Sequence, residues 1–282
     1  MTGEGAWGLA HDAARAAGVR LRALTELADA DEILRVMIAT WGEHQLLPRE
    51  VLRALGESGN VPWGAFDGPS MIGYVLGWAG VDPLDGLHVH SHMLATLPDR
   101  RHRGVGYALK LAQRAHALDQ GIRVARWTYD PILSRNAWFN FGKLGVIADR
   151  FRRNFYGDMT DLLNRGERSD RFVVRWDLER PPGPWGVAVQ GDPAVLRREG
   201  DPALPRPARV AEPQGVAAVV EIPREHAEIR RHDAGLASAW RDALADAVEA
   251  CLAAGMNARA FDRDRCGYVF VRASEGSEEA VR

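Results

Sequence analysis

Apolar positions along this chain repeat with two periods, and the switches between them mark its elements. Residues 19–24 alternate as a first strand after an alanine-rich lead over residues 1–18 that is partly helical in pattern. Helical spacing follows over 29–41 and 48–58, with Pro48 suited to a first helical turn. Residues 65–77 read as a hairpin closed by the polar turn Asp67-Gly68-Pro69-Ser70. Next comes an alternating strand, His90-Ser91-His92-Met93-Leu94-Ala95-Thr96, which breaks at Pro98. An arginine-rich turn with Gly104 and Gly106 opens a helix in which Ala108, Leu111, Ala112, Ala115 and Leu118 recur, and Gly121 ends it. Residues 124–129 form a short aromatic and β-branched strand and 134–145 a helical segment. Residues 151–156 and 172–178 supply closing strands.

From 181 to 213 the pattern breaks down. Eight prolines, Pro181, Pro182, Pro184, Pro193, Pro202, Pro205, Pro207 and Pro213, mark an irregular connector. Beyond it, 216–222 reads as a strand, and Leu236, Trp240, Leu244, Val248, Cys251 and Leu252 as an amphipathic helix ended by Gly255. Residues 257–261 and 266–272 read as a hairpin, and 274–282 as a polar, frayed end. The expected organisation is a domain over 1–180, a connector over 181–213 and a small β-α-β-β domain over 214–282 that packs on the first.

Composition narrows the function classes. The chain has 282 residues, 46% hydrophobic and 26% charged, with a net charge of −2. No basic excess is left to neutralise phosphates, which argues against nucleic-acid or membrane partners. Lys110 and Lys143 are the only lysines, an arginine bias that fits a GC-rich genome. Cys251 and Cys266 lie in apolar patterns and read as buried packing in a reducing compartment. No leader pattern or membrane-length apolar run is present, so the expected location is cytoplasmic.

A strand feeding a glycine-bearing turn and a helix N-terminus makes an anion cradle, since backbone N–H groups converge there and the helix dipole favours negative charge. Arg101 and Arg103 add charge suited to a phosphate. The spacing Arg-x-x-Gly-x-Gly differs from the dinucleotide fingerprint and from the P-loop. It resembles the acyl-CoA-binding turn of the GNAT superfamily of N-acyltransferases. The preceding hairpin, the strand Val124-Ala125-Arg126-Trp127-Thr128-Tyr129 and the segment Ser134-Arg135-Asn136-Ala137-Trp138-Phe139-Asn140-Phe141-Gly142-Lys143-Leu144-Gly145 follow in that family's order. The resemblance implies an α/β (α+β) GNAT fold, with a central mixed, mostly antiparallel sheet flanked by helices and a small C-terminal extension.

It also implies acetyl-CoA as co-substrate. The thioester would lie along Leu94, Ala95 and Thr96, whose backbone N–H groups suit an oxyanion. The phosphates would meet Arg101, His102, Arg103, Gly104, Val105, Gly106 and Tyr107, and the pantetheine would run near Asn136 and Phe141. Phe141 occupies the position of the family's proton-donating tyrosine and cannot donate. Water, Tyr129 or Tyr156 stand as alternatives. Trp127 and Tyr129 would line the acceptor pocket.

A protonated amine must lose a proton before attacking a thioester, and histidine suits that role. Alternation puts His88, His90 and His92 on one face. The run His90-Ser91-His92-Met93-Leu94-Ala95 is similar to the paired-histidine strand of arylalkylamine N-acetyltransferases, which implies that His90 and His92 act as a base or proton relay. A structural, hydrogen-bonded pair is one competing reading. A shared metal is another, though strand rise puts His88 and His92 about 13 Å apart, and no further ligand cluster is present, so no metal is expected.

The expected activity is transfer of an acetyl group from acetyl-CoA to a primary amine of a small molecule or amino acid by direct attack. A homodimer is compatible with the chain. Several blocks, among them His-Ser-His-Met-Leu-Ala and Trp-Thr-Tyr-Asp-Pro, also resemble a bacterial GNAT subgroup associated in part with N-acylation of amino acids. Succinyl transfer from succinyl-CoA is therefore one alternative, and a non-catalytic CoA sensor or scaffold on a GNAT core is another.

Overall fold

The structure, a computed structural model, describes residues 3–43, 46–101, 103–157, 166–187, 189, 191 and 193–272. His102 and the polar end at 274–282 lie outside the described residues. The chain forms two compact units, one of residues 3–127 with 177–181, the other of 128–157, 166–176 and 182–272.

The first unit runs α1 (Gly3–Ala16), β1 (Arg20–Ala23), α2 (Leu27–Trp41), α3 (Arg49–Glu57), β2 (Trp63–Asp67), β3 (Ser70–Asp82), β4 (Gly86–Thr96), α4 (Val105–Asp119) and β5 (Val124–Tyr129), whose last two residues, Thr128 and Tyr129, belong to the second unit. Its sheet has the order β1-β2-β3-β4-β5. The β1–β2, β2–β3 and β3–β4 pairs are antiparallel and the β4–β5 pair is parallel. A bulge at Ile72, where Gly73 lies opposite Ala65 but Met71 opposite Phe66, shifts the alternation of β3 and brings Met71, Tyr74 and Leu76 to one face, beneath Ile33, Val36 and Met37 of α2 and Leu52 of α3. Ile72 and Val75 face the other way, onto Val105 and Leu109 of α4. Each such fully buried aliphatic side chain contributes roughly 1.5–3 kcal/mol, so the two layers fix which face β4 offers to each set of helices. The alanine-rich lead is the helix α1, whose Ala6, Ala10 and Ala14 are buried at i, i+4 and i+8. Trp7 secures it by donating from Nε1 to Asp119 at the end of α4, at 2.6 Å.

The second unit holds α5 (Ser134–Ala137), which runs into a π-helical turn, Trp138–Leu144, and then β6 (Ile147–Arg152), β7 (Arg171–Asp177), β8 (Ala194–Glu199), β9 (Arg206–Arg209), β10 (Ala217–Glu221), α6 (His226–His232), α7 (Ala234–Ala253), β11 (Met256–Asp262) and β12 (Gly267–Arg272). Its strand order is β7-β6-β11-β12-β10-β8-β9. The amphipathic helix is where the sequence puts it, with Trp240, Leu244, Val248 and Cys251 buried. Both cysteines are buried free thiols, and burial pushes the Cys251 thiol up to about 12.

Three elements differ from the pattern. Strand β6 begins four residues earlier than expected, because the chain turns at Asn154, which has a left-handed φ of 46° and donates its N–H to Asp170. The proline-rich stretch contains β8 and β9. Pro207 is tolerated there because β9 ends the strand order, where an N–H can be missing. Helix α6 is short and polar, with only His226 and Ile229 buried, so it carries too little periodicity to be legible. Strand β6 pairs with β11 at Ala148 and Ala258, which places β6 in the second unit although the sequence groups it with the N-terminal domain. Among the described residues no helix is long and apolar enough to cross a membrane.

Candidate active site

Strands β3 and β4 pair in steady register until Gly77. Leu76 lies opposite Met93, yet Gly77 lies opposite Ser91, so His92 is an extra residue bulged out of the ladder. Simple alternation had put His88, His90 and His92 on one face. The bulge re-aims the last of them, but the His90 and His92 rings still lie 5.8 Å apart. Trp78, directly opposite His90, covers both, with its ring 5.2 Å from that of His90 and 4.6 Å from that of His92. His88 is buried at the start of the strand, its Nδ1 3.2 Å from the Gly86 carbonyl oxygen.

Burial pushes the His90 imidazole down to about 4, with His92, His88 and Lys110 adding electrostatic opposition to a positive charge. His92, the more exposed of the pair, is pushed down in the same direction by desolvation. Both rings are therefore neutral near pH 7. No group of three or more His, Cys, Asp or Glu side chains with metal-binding spacing occurs among the described residues.

Just beyond His90 the sheet opens. Parallel pairing between β4 and β5 consists of Val89 with Ala125 and His90 with Arg126. Strand β4 runs on to Thr96, and Leu94, Ala95 and Thr96 stay paired to β3 along their other edge. Arg126 and Asp85 form an ion pair at the closed end, with both side chains buried.

At the far end of β4, Pro98–Arg100 makes a single 3-10 turn, and Arg100 is held to Asp67 at 2.7 Å. Gly104 then begins α4 with φ +88° and no side-chain cap. The first N–H groups of a helix have no partner within it, and those of α4 follow Gly104. No acidic residue lies in this first turn, and a Cβ on Gly106 would meet only Leu94 at 3.6 Å and Thr96 at 4.0 Å. Arg103 is exposed and Arg101 half-buried beside it. The turn therefore combines helix-start amides and positive charge with glycines that allow close backbone approach, a setting that suits an anion. Tyr107, a half-buried phenol, has its pKa raised by desolvation.

Of the proposed acceptor residues, Trp127 is buried, with the Lys110 ammonium 3.7 Å above its ring centre. Tyr129, in the second unit, donates its phenol proton to Tyr268, which donates to the Pro131 carbonyl oxygen. Also in that unit, Asn136 is exposed and its carbonyl oxygen accepts from Asn140. Phe141 is fully buried, edge-on to Tyr268 at 5.6 Å. Tyr156 is exposed and shares a 3.0 Å hydrogen bond with Thr128.

Two residues of the first unit escaped the sequence reading. Trp78 lies one residue past the expected end of the hairpin, and following the alternation of β3 through Asp82 would have found it. Lys110 is a cation inside the apolar stripe of α4, signalled only by the scarcity of lysine.

Residues 22–141 match the model of the acetyltransferase (GNAT) family. Over that stretch the chain is similar to the acetyltransferases of this family. Solved structures similar to it include Naa20 of Chaetomium thermophilum in complex with a bisubstrate analogue, at 18% identity over 57% of this chain and 88% of that one, with a TM-score of 0.45. Ard1 of Thermoplasma volcanium gives 15% identity over 57% and 97%, with a TM-score of 0.43. The ribosomal-protein-S18-alanine N-acetyltransferase of Escherichia coli gives 14% over 61% and 97%, with a TM-score of 0.42. No curated protein matches the chain.

Proposed function

We propose that this protein transfers an acetyl group from acetyl-CoA to a primary amine of a small molecule or amino acid by direct attack. The observation that carries the reading is the bulge at His92. It sets two neutral imidazoles beneath Trp78 beside the point where β4 leaves β5, on the strand that leads to the amide-rich turn at Gly104. The turn binds the pyrophosphate, and the open edge at Leu94, Ala95 and Thr96 receives the thioester. Backbone N–H groups along that edge stabilise the oxyanion that forms when the amine attacks.

The depressed His90 pKa defines what the histidines do. Moving a proton outright from an alkylammonium near ~10 to an imidazole at about 4 is uphill by ~8 kcal/mol. His90 therefore accepts a hydrogen bond from the amine and, with the more exposed His92, passes the proton on to water. A neutral pair also offers no positive charge to repel an arriving ammonium. In chemical terms, the amine nitrogen forms a bond to the acyl carbon, the carbon–sulfur bond breaks, and the thiolate takes up a proton.

Thiol release should be followed with acetyl-CoA and succinyl-CoA over a panel of amines and amino acids, with the wild type and the His90→Asn and His92→Asn variants. Turnover that needs an acceptor and falls on the order of 10- to 1,000-fold in the variants supports the reading. Tight CoA binding without turnover on any acceptor would make the protein a sensor instead. Preference for succinyl-CoA would change the donor and leave the mechanism in place.

A further inference from the structure

Lys110 is 3% exposed, yet it projects from α4 into the sheet. Its Nζ donates to Ser91 Oγ at 2.6 Å, lies 3.5 Å from Gln113 Oε1 and stands 3.7 Å from the centre of the Trp127 ring. The last parallel pair between β4 and β5 is His90 with Arg126. Ser91 and Trp127 are the next residue on each strand. One ammonium therefore touches the first residue of both arms where the sheet forks, on the α4 face. Neutralising flanking carboxylates are not what hold it, since its contacts are a hydroxyl, an amide oxygen and an aromatic face. Burial alone pushes its pKa down to about 7. An apolar side chain of the same length would fill the place without that desolvation penalty.

We propose that Lys110 is a positioning residue that braces the fork between β4 and β5, fixing its width and holding the backbone between His90 and His92. The inference rests on the acyl-transfer reading above for its effect on rate, though not for its effect on the histidines. Ser91 lies between the two histidines in sequence, so an anchor on its hydroxyl limits how far the bulge can shift. Among the charged and titratable groups around Lys110 are His88, His90 and His92 on β4, Arg126 with its partner Asp85 on the closed side of the fork, and Arg114 on α4. Of these, His90 feels the Lys110 charge directly.

The test compares wild type, Lys110→Met and Ser91→Ala by thermal melting, acetyl-CoA calorimetry, steady-state kinetics and NMR titration of the imidazoles. The His90 signal is assigned by its loss in His90→Asn. For Lys110→Met the expected result is an unchanged or raised Tm, CoA affinity within twofold, kcat lower by at least tenfold with acceptor KM nearly unchanged, and a His90 titration moved to higher pH. Ser91→Ala, a smaller change, should lower kcat several-fold with CoA affinity intact. Wild-type kcat and an unmoved His90 titration in Lys110→Met would overturn the proposal, as would a kcat loss that only follows a lost fold. If the wild type itself releases no thiol with any acceptor, the transferase reading fails. The His90 and His92 signals in Ser91→Ala, which removes the anchor and keeps the Lys110 charge, then decide whether Lys110 braces the strand. Shifted signals support the brace and wild-type signals overturn it.

Discussion

The carbonyl oxygen of His90 occupies the space where a side chain on Gly77 would begin. A Cβ built on Gly77 would lie 2.6 Å from that oxygen, 2.9 Å from Gln113 Nε2 and 3.1 Å from the Ser91 Cα. Two of these three neighbours are backbone atoms of the bulged strand and cannot step aside cheaply. The glycine is therefore part of the device that lets β4 carry an extra residue opposite β3.

Gly77→Ala should accordingly disturb the histidines without touching them. An overpacked methyl costs about 1–3 kcal/mol, and part of that strain would be relieved by pushing Ser91 and its neighbours out of register. Thermal melting should show the loss, and kcat should fall by at least tenfold. A variant with wild-type Tm and rate would show that the bulge does not depend on this close approach.

The two glycines of the phosphate turn should behave differently from each other. Gly104 has φ +88°, which an L side chain adopts at roughly 1–2 kcal/mol, so Gly104→Ala should lower stability and CoA affinity together. Gly106 is helical, and a Cβ there meets only ordinary contacts inside the protein. Gly106→Val should therefore leave the apo-protein nearly as stable while weakening CoA binding. Arg103→Ala should weaken it less, because the amides stay in place. Melting and calorimetry on the same samples separate the two effects. Unchanged CoA affinity in both glycine variants would remove the turn from the binding site.

Most of this frame is legible in the sequence because it depends on local signals. Strand, glycine turn and helix N-terminus are contiguous, and the apolar stripe of α4 announces itself. What stays hidden is relational. A one-residue offset between β3 and β4 cannot be seen in the alternation of either strand alone, so the bulge at His92 and the cover supplied by Trp78 emerge only from pairing. Lys110 reads as an ordinary helical cation until the fork gives it two arms to touch. Strands β8 and β9 are masked by the very prolines that an edge strand accommodates.

Acid should act on stability and on rate through the same ring. His90 is held near 4 in the folded protein, against about 6.5 when unfolded. The unfolded chain thus takes up a proton there that the folded one refuses, and stability is lost as pH falls from about 6.5 to about 4. His90→Asn should show a smaller drop in Tm between pH 7 and pH 4.5 than the wild type. The fall in kcat/KM between pH 8 and pH 6 should instead follow the acceptor's own ammonium, and an acceptor of lower amine pKa should move that limb down. A limb fixed near 6.5 for every acceptor would mean that His90 titrates normally.

Trp78 tests whether cover is the cause of that depression. Desolvation leads the causes at His90, and the Trp78 ring lies over it. Trp78→Ala should let the His90 titration rise toward about 6.5 by NMR and lower turnover, whereas Trp78→Phe should do less of both. A His90 titration that stays put in Trp78→Ala would assign the desolvation to the other walls of the site.

The proposed reaction also needs a proton for the departing thiolate, for which the sequence offers Tyr129, Tyr156 or water. Phe141 has no proton to give. Tyr129 is buried with its pKa raised well above the ordinary phenol value by desolvation, and its proton is committed to Tyr268. Tyr129→Phe should therefore act on stability, by about 0.5–1.5 kcal/mol for one lost hydrogen bond, and leave the rate of thiol release alone. Phe141→Ala should act on stability as well, by ~3–5 kcal/mol, because its ring is fully buried. Tyr156 is an exposed residue whose hydroxyl shares a hydrogen bond with Thr128, and it is the better placed of the two phenols to exchange protons with water. A rate loss in Tyr156→Phe alone, with binding and Tm unchanged, would identify it as the donor. Wild-type rates in both phenylalanine variants would leave solvent as the source, in line with the proposed passage of the amine proton to water.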